Sequence, residues 1–411
     1  MLNYINIKYK PSKDDVIVEY YVESADLTLY EAAERIVETS SLGEWTDIFN
    51  KKTAKKLKPT VFELKENYIK IAYPHNLFEK NSIPQILSTL TGNIFSINEI
   101  KNLRLEDISF PLKIVEKYKG PKFGIKEIRK ILAIKSRPII SSSIKPLILN
   151  PKEYAREAKH IWLGGCDIII DNEKLTNQSF NKFKDRIIQT IDARNKVEDR
   201  LNQPKIYIPN ITAETAEMVE RLKFVKESGG RAVMINTLIT GFSALQTLRN
   251  IDSKMIIYSN HTMNSLLTRN PQYGVSSLVL VKLARLAGAD IINIGTTTGR
   301  AGLSPVETIQ ARIEIEEKIS QSNKKSHRLE QRWNNILPSF ALCSDITPQL
   351  IPDITRMMSN NIIVDATDSI HKHPTNTMKG SLAVQQAIEA TMKKIPLKRY
   401  AIKHSELRDS I

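Results

Sequence analysis

The sequence predicts an α/β chain in which a small α+β domain, residues 1–120, precedes a TIM (β/α)8 barrel, residues 121–411. Three observations carry this. After Gly120, short Ile- and Val-rich runs alternate with amphipathic helices eight times, the count a barrel requires. Those runs are apolar from end to end, as in parallel strands buried on both faces. The chain has 411 residues, 41% hydrophobic and 26% charged, too long for one ordinary core and too apolar for disorder.

The elements follow in order. Val16 to Val22 alternates and is rich in β-branched residues, as a strand is. Leu29 to Thr39 places Leu29, Ala32, Ala33, Ile36 and Val37 on one helical face. Thr60 to Leu64 and Tyr68 to Tyr73 read as strands, and Ile83 to Thr91 as a second helix. Such a mixture points to a small α+β layer structure. Beyond Gly120 the predicted strands are Pro138 to Ile144, Cys166 to Asp171, Ile206 to Asn210, Ala232 to Asn236, Met255 to Ser259, Ile291 to Gly295, Phe340 to Ser344 and Asn361 to Ala366. Helices lie between them, among them Pro151 to Leu163, Ala213 to Glu227, Val275 to Leu286 and Pro305 to Ser320. A doubly wound open sheet uses similar units, but no G-x-G-x-x-G follows the first strand.

A barrel carries its chemistry at the carboxyl ends of its strands. Here those ends hold Lys145, Asp171, Asn172, Glu173, Asn210, Asn236, Asn260, His261, Asn293, Ser344, Asp345, Asp365, Thr367 and Asp368, with Asn264, Arg300, His371 and His373 just beyond. Solvated loops alone explain many of the Asn and Asp residues. Lys145, set between Ile144 and Pro146, is less ordinary as a turn residue and is open to a functional role. Asp171 and Glu173 read either as an acid/base or metal pair or as helix-start carboxylates favoured by the dipole. His371 and His373 have metal-ligand spacing, but no third ligand stands near them in sequence, which favours loop histidines.

The formal charge of +15 admits a polyanionic partner. Its densest run, Lys51, Lys52, Lys55, Lys56 and Lys58, has no interleaved aromatic to stack bases, so nucleic acid ranks behind phosphorylated or other small polar metabolites. No apolar stretch approaches the roughly 20 residues of a membrane span. The polar start, MLNYINIKYKPSKDD, has no signal-peptide core, so a cytoplasmic location is expected. Cys166 and Cys343 are far apart and form neither a metal spacing nor a disulfide framework.

Several segments, taken in order, resemble the large subunit of RuBisCO. In the first domain they are E-W-T (Glu44 to Thr46), I-A-Y-P-x-x-L-F-E (Ile71 to Glu79), G-N-I-F (Gly92 to Phe95) and L-R-L-E-D (Leu103 to Asp107). G-P-x-x-G-I (Gly120 to Ile125) resembles the join between domains. The barrel adds I-K-P (Ile144 to Pro146), G-G-x-D (Gly164 to Asp167), D-x-E (Asp171 to Glu173), G-F-S-A-L-Q-x-L-R (Gly241 to Arg249), T-R-N-P-x-x-G (Thr268 to Gly274) and G-T-x-x-G (Gly295 to Gly299). The wording is most similar to archaeal form III enzymes. The resemblance implies a ferredoxin-like first domain, a TIM barrel, and a homodimer whose active sites are shared between subunits through Asn93. It also implies that Lys145 handles protons during enolisation.

The departures from the family are as informative. Where members carry the lysine that CO2 carbamylates to bind Mg2+, this chain has Ile170. The Asp ligand position holds Asn172, and Glu173 is retained. One carboxylate and one amide are not the charge-rich oxygen set that Mg2+ prefers. Leu147 stands for a second lysine, Asn260, His261 and Asn264 for a His-Arg pair and a further His, Asn293 for another His, and Arg300 for the mobile-loop lysine. Cys343, Ser344 and Asp345 replace Ser-Gly-Gly, and Thr367, Asp368 and Ser369 replace the triple glycine that cradles a phosphate. Thr39 takes the place of an N-terminal glutamate, and Glu44 the place of the threonine beside Trp45.

The expectation is a RuBisCO-like protein that does not carboxylate ribulose bisphosphate. If active, it is a lyase or isomerase with Lys145, Glu173, His261 and Arg300 in catalytic roles. Asn93, Asn172, Asn260, Asn264, Asn293 and Asp368 would then bind a sugar-derived or phosphorylated metabolite, with no metal. The alternative is a non-catalytic homologue with a binding or structural role.

Overall fold

Strand β1 (Asp15–Ser24) lies at the centre of the first sheet because its alternation buries Val16, Val18 and Tyr20. It pairs antiparallel with β3 (Tyr68–Pro74) and with β4 (Ile100–Ser109), and β3 pairs antiparallel with β2 (Thr60–Lys65). The resulting order, β4-β1-β3-β2, with helices Leu29–Thr39 and Ile83–Thr91 inserted after β1 and β3, is the ferredoxin-like β-α-β-β-α-β arrangement. The helix periodicity held at four of its five positions, Leu29 at the first turn being only partly buried. Ala32, Ala33, Ile36 and Val37 are buried, and Thr28 caps the first helix in a box with Glu31. The computed structural model describes residues 4–43, 51–251, 254–295 and 304–411.

The chain groups into two compact units, Met1–Gly120 with Met263–Ala287 and Glu317–Leu337, and Pro121–Thr262 with Gly288–Glu316 and Pro338–Ile411. Two stretches that the sequence reading groups with the barrel therefore make their contacts in the first unit. The reasons are visible: Gly274–Val275 adds a parallel edge to β4, and Lys282 forms a fully buried pair with Asp107, Nζ to Oδ1 2.7 Å. The predicted helix from Pro305 ends at Glu316 rather than Ser320, and Ile319–Ser320 instead pairs with Gln331–Arg332.

The second unit is the barrel. Its strands are β5 (Ile139–Ser143), β6 (Ile168–Ile170), β7 (Ile206–Ile208), β8 (Ala232–Asn236), β9 (Ile256–Asn260), β10 (Ile291–Asn293), β11 (Phe340–Cys343) and β12 (Ile362–Asp365). All neighbouring pairs are parallel, in the order β7-β6-β5-β12-β11-β10-β9-β8. The ring closes just past β7, where Met234 N donates to Pro209 O (2.8 Å) and Ile211 N donates to Met234 O (3.0 Å). An open doubly wound sheet is thereby excluded.

Several strands are shorter than their apolar runs. β6 is Ile168–Ile170, and the flanking Asp167 and Asp171 still bond the neighbouring strands through their backbone (Asp167 N to Ile140 O and Asp171 N to Ile208 O, both 3.0 Å) while their carboxylates turn to arginines. Residues two apart share a face. Ile168 and Ile170, Ile206 and Ile208, Ala232 and Met234, Ile256 and Tyr258, and Phe340 and Leu342 accordingly fill the barrel interior. The G-G-x-D turn before β6 has a steric reason: a Cβ on Gly164 would stand 2.1 Å from Met378 O.

Candidate functional site

The carboxyl rim of the barrel is best built from its last strand. Asp365 ends β12, and its Oδ1 accepts from Thr367 Oγ1 (2.5 Å) and Thr367 N (3.1 Å). Thr367 Oγ1 in turn accepts from Ser143 N of β5 (2.8 Å), which ties the first and last strands together. Burial pushes the Asp365 carboxyl up to about 6, with Asp345 and Asp368 adding like-charge repulsion and the Thr367 bonds opposing.

Asp368 is the opposite case. Its Oδ1 takes the Lys145 ammonium and its Oδ2 the Lys372 ammonium (3.0 Å), and these bonds hold the carboxyl down at about 2. Lys145 therefore sits in an ion pair, about half exposed, rather than as a free amine. Its backbone N–H points to His371 Nε2 (3.3 Å), which also lies 2.9 Å from Ser143 O. Bare Nε2 accepts the first; protonated Nε2 donates to the second. Burial lowers the His371 imidazole below its ordinary value, with the Ser143 carbonyl opposing.

Around the rest of the rim the side chains are amides. Asn210 Nδ2 and Asn236 Nδ2 donate to Glu173 O (3.0 and 2.9 Å), and Asn210 Nδ2 also reaches Asn172 O (3.3 Å). Asn172 Oδ1 accepts from Lys174 N (3.0 Å). Asn260 Nδ2 donates to Asn236 Oδ1 and Thr262 Oγ1, both at 3.1 Å. The Tyr258 hydroxyl donates to Asn260 Oδ1 (3.2 Å). Burial pushes that phenol up, and the Asp365 and Glu173 charges act in the same direction. Asn293 Oδ1 accepts from Gly295 N (2.9 Å) and from Ser344 Oγ (3.4 Å). His261 N donates to Asn260 Oδ1 (3.1 Å), and burial drives its imidazole down to about 4, so it is neutral at pH 7.

Two readings left open by the sequence now separate. Asp171 is not an acid/base partner for Glu173. Its carboxylate is fully buried, takes the hydroxyls of Tyr154 and Tyr207 on Oδ1 (both 2.7 Å), and takes Arg186 Nε (3.1 Å) and Asn210 N (2.9 Å) on Oδ2. With its acceptor positions filled, it fixes structure. His371 and His373 also part company, since His373 Nε2 faces Glu406 O (3.2 Å). Ile170 points into the barrel core and is 3% exposed.

Of the site residues read from sequence, Lys145 and Asp368 are in contact, and Asn172, Glu173 and Asn260 are joined through Asn210 and Asn236. Asn93 and Asn264 belong to the first unit, Asn93 exposed at the start of a single turn and Asn264 opening helix Asn264–Thr268. Arg300 lies outside the described residues, as do Glu44 and Trp45. Sequence reasoning named Asp365, Asn210 and Asn236 only as strand ends, and missed Tyr258. A recurring Asn one step past the apolar run was the available signal for the amides.

Two family models cover nearly all of this. The model described as ribulose bisphosphate carboxylase large chain, catalytic domain, matches residues 124–411, and the one for the N-terminal domain matches residues 3–114. The chain belongs to the RuBisCO large-chain family. Among the family's curated members, the ribulose bisphosphate carboxylases of Methanosarcina mazei and Methanocaldococcus jannaschii are each 36% identical, over all of this chain and 98% and 99% of their own length. Among solved structures, the dimeric archaeal Rubisco from Hyperthermus butylicus superposes with a TM-score of 0.93 at 34% identity, covering 99% of this chain and 97% of that one. The octameric enzyme of Pyrococcus horikoshii gives 0.91 at 33% identity, covering 99% and 95%.

Proposed function

We propose that this member of the RuBisCO family does not fix CO2 and instead enolises or isomerises a sugar-derived polar metabolite at the barrel rim. The observation that carries the reading is Ile170. An isoleucine packed among Ile168, Ile208 and Ile139 cannot form a carbamate, and it offers a metal no donor. Mg2+ is the ion the family resemblance implies, and the residues present do not suit it. Asn172 brings a neutral amide, already accepting from Lys174 N, where a charged carboxylate is needed, which leaves Glu173 as the one anionic donor of the set. No step is therefore routed through a metal.

The rim groups support proton chemistry on a hydroxy-carbonyl compound. Their carboxyls are pushed apart, one up and one down, the pattern by which acid and base roles are divided. Lys145 holds an ammonium for a developing oxyanion, while Asn260, Asn293 and neutral His261 offer uncharged hydrogen bonds to hydroxyls. Asp368 stands against a phosphate at the last strand, which favours an unphosphorylated end of the substrate there. Asn93, Asn264 and Arg300 remain proposed contributors, with a homodimer as the assembly. Support for the dimer comes from the Hyperthermus relative, described as dimeric. Among the described residues no helix is long and apolar enough to cross a membrane, in keeping with a cytoplasmic protein.

A non-catalytic role is the second reading, favoured by the capture of Lys145 by Asp368. Incorporation of deuterium from D2O into carbon positions of ribulose, ribose, dihydroxyacetone and their phosphates separates the two. Exchange above a protein-free blank is expected; its absence from every sugar favours the non-catalytic role.

A further inference from the structure

The base at this rim is open to question once Lys145 is seen in its ion pair. An ammonium shared with a carboxylate has to leave that partner and lose a proton before it can abstract another. Asp365 needs neither step. It stands at the carboxyl end of β12, half-buried, and the bonding around it is directional. Ser143 N–H already occupies a lone pair of Thr367 Oγ1, so the Thr367 hydroxyl proton is turned toward Asp365 Oδ1. Thr367 N–H holds the same oxygen. Among the described residues no donor reaches the other oxygen, Oδ2. One oxygen is thus clamped and the other is left to take or give a proton.

We propose that Asp365 is the residue that exchanges a proton with the substrate carbon, that Thr367 positions it, and that Lys145 serves as the proton donor to the carbonyl oxygen. This rests on the enolisation reading and names the base within it. The Oδ2 carboxylate takes the proton from a carbon next to a carbonyl. The C–H electron pair becomes the C=C bond of an enediol, and the carbonyl oxygen takes a proton from the Lys145 ammonium. Returning a proton to the neighbouring carbon, and one from the other hydroxyl to Lys145, completes an isomerisation with no oxidant or reductant.

The charged groups that weigh most on Asp365 are Asp345 beyond β11 and Asp368 beside it in sequence, and its own charge is felt by the Tyr258 phenol on β9. None is a cation, and Lys145 and Lys372 are both engaged by Asp368. The balance keeps this carboxyl protonated further toward neutrality than an ordinary aspartate, the range in which a base works best.

The test is deuterium exchange into the sugars named above, compared between the wild type and Asp365→Asn, with a 13C-aspartate NMR titration of the same proteins. A fall in exchange of about 100-fold or more is expected for the variant, the usual loss of a general base. The wild type should show one carboxyl with a midpoint near 6 that disappears in Asp365→Asn. Thr367→Ala should move that midpoint upward, and Thr367→Ser should restore it. Undiminished exchange in Asp365→Asn overturns the proposal while leaving the enolisation reading standing. An Asp365 midpoint near 4 overturns it whatever the exchange shows. A wild type that exchanges no sugar removes the reading and the proposal with it.

Discussion

The two ends of the barrel use charge in opposite ways. At the amino end the buried carboxylates of Asp290 and Asp167 are locked. Asp290 takes Lys122 N (2.7 Å) and Phe123 N (2.8 Å) on one oxygen, and Ile257 N (2.8 Å) with the Arg249 guanidinium on the other. Asp167 is gripped by Arg137 through two bonds of 2.7 Å and by Ile140 N, with the Lys205 ammonium 4.0 Å away. At the carboxyl end, Asp365 has one oxygen that no donor among the described residues claims, and Asp368 is shared by two exposed lysines. The same eight strands thus carry stability at one end and adjustable protons at the other. Asp171 marks the limit of the rule, as a locked carboxylate at the working end.

The contrast can be broken most sharply at the amino end. Asp290→Ala leaves Arg249 buried without its carboxylate, and removing one member of such a pair costs about 3–5 kcal/mol. Urea unfolding at pH 7 should show a loss of that size, and a loss under about 1 kcal/mol would mean that the network is ornamental. Asp365→Asn should act in the reverse direction. The folded carboxyl titrates at about 6, above its ordinary 3.8, so its ionisation destabilises the fold as pH rises through that window. The variant should be more stable at pH 8 by on the order of 2 kcal/mol, with the gap closing below about pH 4. Equal stability at both pH values would place Asp365 among the ordinary carboxylates. The smallest effect belongs to Asp368. Its pKa is depressed to about 2, so its contribution is present above its ordinary 3.8 and is lost as pH falls through 2. With both partners well exposed, Asp368→Asn should cost less than about 1 kcal/mol at pH 7, and less still in high salt.

How much of this the sequence carried follows from what each residue needed. The barrel strands were legible because Ile and Val runs have few other uses, and the helices Leu29–Thr39, Pro151–Leu163 and Ile83–Thr91 fell where their periodicity put them. β4 was missed as a strand. Its K-N-L-R-L-E-D wording reads as polar, yet Arg104 pairs with Glu106 (2.6 Å) and Asp107 with Lys282, so the charges are neutralised only in the fold. The rim behaves likewise. Lys145 could be picked out by position, but its partner Asp368 lies 223 residues away. Asp365 looked like any strand end, because its burial and its Thr367 clamp depend on β5 and β12 lying side by side. Asp171, beside the retained Glu173, looked chemical and is structural.

The account stands or falls on whether a barrel with Ile170 in place of a carbamylated lysine can fix carbon. The direct measurement is to incubate the purified protein with ribulose bisphosphate, Mg2+ and 13C-bicarbonate and to follow label entering an acid-stable carboxylic acid by mass spectrometry. The account predicts no label above a protein-free blank across pH 6 to 9. Steady, protein-dependent incorporation would contradict it.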